Sequence, residues 1–230
     1  MFNSLNSLPQ VTKNLLLLNI VMYIASLILV NQGIDLFNLL SVYNFQSPNF
    51  EPYQLITSMF MHSQMDFMHI VMNMFVLVVF GSFLEKIWGS KHFFIFYILC
   101  GFGADVLDQI MGYIEISKYN SLIMSGGNYV NLKPYYDYLM LKSSLGASGA
   151  LFGVMAGFAY LFPNTELMLM FVPFPIKAKY LIGGYFVYEL YKSTTFGGFD
   201  NINHIAHVGG AITGVLIIFI RRKFDKKNFY

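Results

Sequence analysis

Three short motifs carry the residue types of acyl-transfer chemistry: His69-x-x-x-Asn73, Gly146-Ala147-Ser148-Gly149 and Ala206-His207-x-x-Gly210. A hydroxyl nucleophile needs a base to take its proton and donors to hold the oxyanion that forms on the attacked carbonyl. Ser148 offers the hydroxyl and His207 the base. His69 and Asn73, one helical turn apart and so on one face, offer side-chain N–H donors beside the Ser148 backbone N–H. Read singly, each motif has an ordinary alternative. Gly-x-Ser-Gly also describes tight helix packing, His69 with Asn73 an interhelical hydrogen-bond pair, and His207 a structural imidazole. In this order and together they specify a hydrolase site.

The elements that must position these residues follow from composition. Of 230 residues 56% are hydrophobic and only 11% charged, and the mean hydropathy is +0.56, too apolar for an ordinary soluble domain. The expectation is an all-α integral membrane protein. Apolar runs at about 12–31, 67–84, 93–111, 146–162, 178–192 and 203–220 approach the roughly 20 residues a span requires. Each should be helical, because lipid leaves unpaired backbone unsatisfied. The fifth run is the shortest, is interrupted by Gly183 and Gly184, and ends in Tyr188-Glu189-Leu190-Tyr191.

Lysine and arginine alternate in density between successive connections, with Lys13, Lys86, Lys91, Lys177, Lys179 and the Arg221–Lys227 tail on one side. The positive-inside rule then puts both termini in the cytoplasm, the expected setting being a bacterial inner membrane. The first loop, from Gln32 to Asp66, holds no Lys or Arg and many aromatic residues, which suits the outer interface. The connection from Met111 to Leu145 reads as an external loop with a turn at Ser125-Gly126-Gly127-Asn128. The run from Leu15 to Val30 lacks a clear small-residue cleavage site after it and reads as a first span rather than a signal peptide. No repeat or second domain is visible, so residues 1–230 form one domain.

Spans two, four and six begin on the outer side, bringing His69, Asn73, Ser148 and His207 to similar depth. Gly149, Gly153 and Gly157 make a smooth strip on span four, and Gly210 with Gly214 makes one on span six, which favours close helix approach. His207 shares the face of Gly210 and Gly214. Phe152, one turn below Ser148, is placed to pack on the imidazole. Free N–H groups at the start of span four add donors for negative charge.

On these motifs the chain resembles the rhomboid intramembrane serine proteases, from about Pro52 through span six, including Glu85-Lys86 with Gly89 and Phe162-Pro163-Asn164. The resemblance implies a six-transmembrane-helix bundle with an interfacial first loop, and a Ser-His dyad of Ser148 and His207. It makes His69 and Asn73 the oxyanion side chains, with Gly146, Gly149, Phe152, Gly210 and Gly214 in supporting places. It implies cleavage of single-pass transmembrane proteins, with entry past span five and the loop from Lys192 to Asn203. Two departures stand out. Tyr53-Gln54 lies where the family commonly has Trp-Arg, and Phe152 where it often has tyrosine.

Readings from other classes are a proton-coupled small-molecule transporter using intramembrane His and Asp and a non-catalytic membrane chaperone. Asp105 and Asp108 read as directed towards external headgroups, and His62 and His92 as interfacial. His204 and His207 invite a metal reading, but no cysteine or carboxylate at suitable sequence spacing completes a site, so no metal is expected. The single Cys100 excludes an internal disulfide. The small net charge of +2 gives no reason to expect nucleic acid as a partner. The lipid bilayer is a partner by composition, and no cofactor is needed for this chemistry.

Overall fold

The computed structural model describes residues 7–168, 173–194 and 202–224. Residues 195–201 of the expected entry loop and the tail beyond 224, with Lys226 and Lys227, lie outside the described residues.

Helix α1 (Gln10–Leu29) runs first. Its opening N–H groups have no helical acceptor, and Glu85 supplies one, accepting from Val11 N at 2.8 Å, Thr12 N at 2.7 Å and Thr12 Oγ1 at 2.8 Å. A buried carboxylate at a helix N-terminus also answers the helix dipole. The first loop then folds into two short helices, α2 (Leu36–Leu40) and α3 (Gln54–Thr57), and strand β1 (Val42–Tyr43). Gln54 anchors this loop from the position next to Tyr53. Its amide donates to the Leu39 and Asn49 carbonyls and its oxygen accepts from Glu51 N at 3.1 Å. Gln109 ties the loop to the third long helix, accepting from Phe45 N at 2.8 Å and donating to Tyr43 O at 2.9 Å.

Helix α4 (Phe67–Trp88) is capped by Asp66, which accepts from Met68 N at 3.0 Å, and contains a π segment at Leu77–Gly81. Gly89, at φ 76°, ends it and turns the chain directly into α5. Helix α5 (Ser90–Met124) has 35 residues, roughly 52 Å at 1.5 Å per residue, so it continues well past a hydrocarbon layer of roughly 30 Å. Here the expected loop over 111–145 is corrected. The chain stays helical to Met124, turns at the Gly126-Gly127 pair, and returns as α6 (Tyr129–Leu141). Partners replace apolar content as the reason for this helix: Tyr135 donates to Glu115 at 2.8 Å and packs its ring, tilted by 48°, on Tyr119 with centroids 4.7 Å apart.

Strand β2 (Ser143–Ser144) pairs with β1, matching Val42 with Ser144, and leads into α7 (Ser148–Leu161). A second ladder, β3 (Glu166–Leu167) with β4 (Ile176–Lys177), connects α7 to α8 (Ala178–Thr194), and α9 (His204–Phe224) closes the chain. Among the described residues four helices, α1 continued to Gln32, α4, α5 and α9, are long and apolar enough to cross a membrane. Helix α7 is apolar but has 14 residues, and α8 has 17.

At the centre stands α7, buried on every side from Gly149 through Met155, the pattern of an element enclosed by others. Small residues permit that enclosure. A Cβ on Gly153 would meet Cys100 of α5 at 2.5 Å and Gly210 O of α9 at 2.8 Å, and one on Gly149 would meet Ala104 at 2.6 Å. Two polar readings are corrected by this packing. Asp105 is buried, with Ser58 Oγ donating to it at 3.4 Å, rather than turned to headgroups. His62 is fully buried rather than interfacial, and burial pushes its pKa down to about 3, so its ring is neutral. His92 is exposed, with its Nδ1 3.1 Å from Trp88 O at the end of α4.

Candidate active site

Ser148 is the first residue of α7, held there by the segment before it. The β1–β2 ladder fixes Ser143 and Ser144, and Gly146 N donates to Ser58 O at 2.9 Å. Gly146 then turns at φ 121°, in the left-handed region that only glycine enters without strain. The same residue leaves space for His69, whose Nε2 would lie 3.0 Å from a Cβ at this position. The first N–H groups of α7 have no helical acceptor and sit beside Ser148.

His207 faces Ser148 from α9. Its Nε2 is 2.8 Å from Ser148 Oγ, a distance at which proton transfer needs no rearrangement. Asn203 caps α9, accepting from Ala206 N at 3.1 Å, and its amide donates to Ser144 Oγ at 2.8 Å, so the start of α9 is linked to the segment that positions Ser148. The Phe152 ring stacks on the His207 imidazole, with centroids 4.2 Å apart and planes 13° from parallel. Below the pair, Gly210 lies against the Gly149 backbone and Gly214 against that of Gly153, so the two glycine strips make the close approach that fixes the Ser148–His207 register.

His69 projects from α4 toward Gly146. Its Nδ1 accepts from Ser63 N at 3.4 Å, which leaves the proton on Nε2, the His69 atom nearest a Cβ position on Gly146. In this tautomer His69 presents an N–H donor on the side of Gly146. Asn73, one turn on, is buried and donates from Nδ2 to His69 O at 2.8 Å, with a second amide hydrogen remaining.

A residue not assigned to the site from sequence completes the cluster. Glu189 of α8 is 1% exposed, and its Oε2 lies 2.9 Å from His207 Nδ1 and 2.6 Å from His204 Nδ1. Tyr185, one turn earlier on α8, packs its ring against Phe152 at 5.0 Å between centroids. In sequence, Glu189 sits 15 residues from His204 among the aromatic residues ending span five, where nothing marks it. The expectation that no carboxylate completes a cluster with the two histidines is corrected: donor atoms of Glu189, His204 and His207 all lie within 4.8 Å of one another. A carboxylate with two imidazoles is a donor set that holds zinc elsewhere, but here the three groups already satisfy each other by hydrogen bonds.

A helical membrane domain with a serine on an imidazole at the mouth of its central helix is the class that fold and site define. The chain belongs to the rhomboid family: the Rhomboid domain model matches residues 49–224. It is 30% identical over 170 residues to Rhomboid protein 1, mitochondrial, of Saccharomyces cerevisiae, covering 70% of this chain and 40% of that protein. It is 28% identical over 239 residues to Rhomboid-like protein 11, chloroplastic, of Arabidopsis thaliana, covering 97% and 71% respectively. Over 164 residues it is 27% identical to Rhomboid protease AarA of Providencia stuartii, covering 70% and 52%. The chain thus spans less than half the length of the yeast relative and about half of the Providencia one.

Proposed function

We propose that this protein is an intramembrane serine endopeptidase that cleaves single-pass membrane proteins within or beside their transmembrane segment. The observation that carries the reading is the 2.8 Å contact of His207 Nε2 with Ser148 Oγ, on an imidazole held flat by Phe152. His207 removes the Ser148 proton as Oγ attacks the scissile carbonyl, then returns it to the leaving amine, and water releases the acyl group by the same route. The developing oxyanion is held by the His69 Nε2–H, the first N–H groups of α7 and the Asn73 amide.

The bundle crosses the membrane six times as one domain, with both termini on the basic side. Helix α7 is only about 21 Å long at 1.5 Å per residue, so with its C-terminal end at one membrane face Ser148 lies below the other. The backbone above it is paired by protein at Ser143 and Ser144 through β1 and at Gly146 through Ser58, as irregular backbone at membrane depth requires. The mitochondrial and chloroplastic relatives remove the reason to expect a bacterial inner membrane.

The test is cleavage of a single-pass model substrate by the purified protein in liposomes. Ser148→Ala and His207→Ala should each abolish product at unchanged thermal stability, and the double variant should be no worse, because the pair acts as a unit. Cleavage retained by Ser148→Ala rules the reading out.

A further inference from the structure

Four polar groups from three helices form one continuous chain: Ser148 Oγ of α7 to His207 Nε2 of α9 at 2.8 Å, His207 Nδ1 to Glu189 Oε2 of α8 at 2.9 Å, and the same Oε2 to His204 Nδ1 of α9 at 2.6 Å. We propose that Glu189, locked in place by His204, is the positioning residue of the base, so that the reactive unit is a Ser-His-Glu array rather than a bare Ser-His pair. The inference rests on the protease reading.

Three observations carry it. A carboxylate accepting at Nδ1 places the neutral imidazole's proton there, so Nε2 presents the lone pair that must take the Ser148 proton; the opposite tautomer cannot act as base. Glu189 is almost wholly removed from solvent at 1% exposure, a setting in which a carboxylate is costly unless its oxygens are bonded. His204 supplies a bond beyond the one from His207. Third, Phe152 also contacts Tyr185, at 5.0 Å, so the ring that fixes the plane of His207 and the helix that carries Glu189 pack together.

The proton account balances without transfer to Glu189. As Ser148 Oγ bonds the carbonyl carbon, its proton moves to His207 Nε2 and the ring becomes imidazolium, whose Nδ1–H still donates to Glu189. The carboxylate stabilises that charge and remains ionised while His204 continues to donate to it. The Nε2 proton then leaves with the amine. Because Glu189 belongs to α8 and the base to α9, His207 is held in its reactive tautomer only while α8 is seated against α9.

The test compares wild type with Glu189→Gln and His204→Ala in liposomes, reading kcat and KM separately across pH together with the rate of fluorophosphonate labelling. Glu189→Gln keeps shape and one acceptor but removes charge. It should lower kcat on the order of 10²-fold at nearly unchanged KM, slow labelling in parallel, and displace the pH profile of kcat/KM because a charged neighbour of the base has become neutral. His204→Ala should lower kcat by a smaller factor, and it serves as the deciding variant if Glu189→Gln does not accumulate. A Glu189→Gln or, in its absence, a His204→Ala protein with wild-type kcat and pH profile overturns the proposal. A wild-type protein that neither cleaves nor labels ends the protease reading, and this inference with it.

Discussion

Gly210 on α9 rests directly on the backbone of Gly149 on α7, one residue beyond Ser148, with no room for a side-chain carbon between them. This contact sets the distance between nucleophile and base. Gly210→Val should therefore cost about 1–3 kcal/mol, the usual range for overpacking, seen as a lower Tm, and should remove cleavage by parting Ser148 from His207. Gly183→Ala on α8 is the matched control, since a Cβ there meets nothing within 4 Å. It should gain up to about 1 kcal/mol of helix stability and keep activity.

Much of the site was legible because its parts announce themselves in short patterns. The glycine strips predict the α7–α9 approach, and with it the Ser148–His207 contact, since small residues one turn apart mean the same thing in any membrane helix. Glu189 was not legible. A lone glutamate among tyrosines acquires meaning only through the rotation of α8 against α9, which no local pattern encodes. The same holds for Asp105, whose partner Ser58 comes from the first loop. Gln54 shows the converse: the missing Trp-Arg pair was visible, but not the hydrogen bonds that take up the anchoring. The length of α5 was not legible because its C-terminal half is held by α6 and not by apolar content.

His69 and Asn73 differ in how directly they are aimed. The Ser63 N–H fixes the His69 proton on the Nε2 that faces Gly146, whereas Asn73 spends one amide hydrogen on the His69 carbonyl. Each alanine variant should lose roughly 10² to 10³ in kcat, the effect of removing one oxyanion donor, with Ser148 still labelled by a fluorophosphonate. His69→Ala is expected to be the more damaging. Wild-type kcat in both would leave oxyanion binding to the backbone N–H groups of α7.

Topology is checked by cysteine accessibility in a protein whose buried Cys100 is replaced by Ala. Ser125, at the exposed turn between α5 and α6, and His92, exposed near the start of α5, lie at opposite ends of one helix. An impermeant thiol reagent applied to right-side-out cells or vesicles should modify Ser125→Cys and spare His92→Cys. The opposite pattern would invert the assignment of the basic side.

The central claim is that Ser148 is a nucleophile activated by His207, and active-site labelling measures it without a known substrate. A fluorophosphonate probe incubated with the membrane-embedded protein should attach to one residue, identified as Ser148 by peptide mass. Labelling should vanish in Ser148→Ala and fall at least about 10²-fold in His207→Ala, the low end of what a positioned base contributes. An unlabelled wild type, or label that persists in Ser148→Ala, would contradict the account.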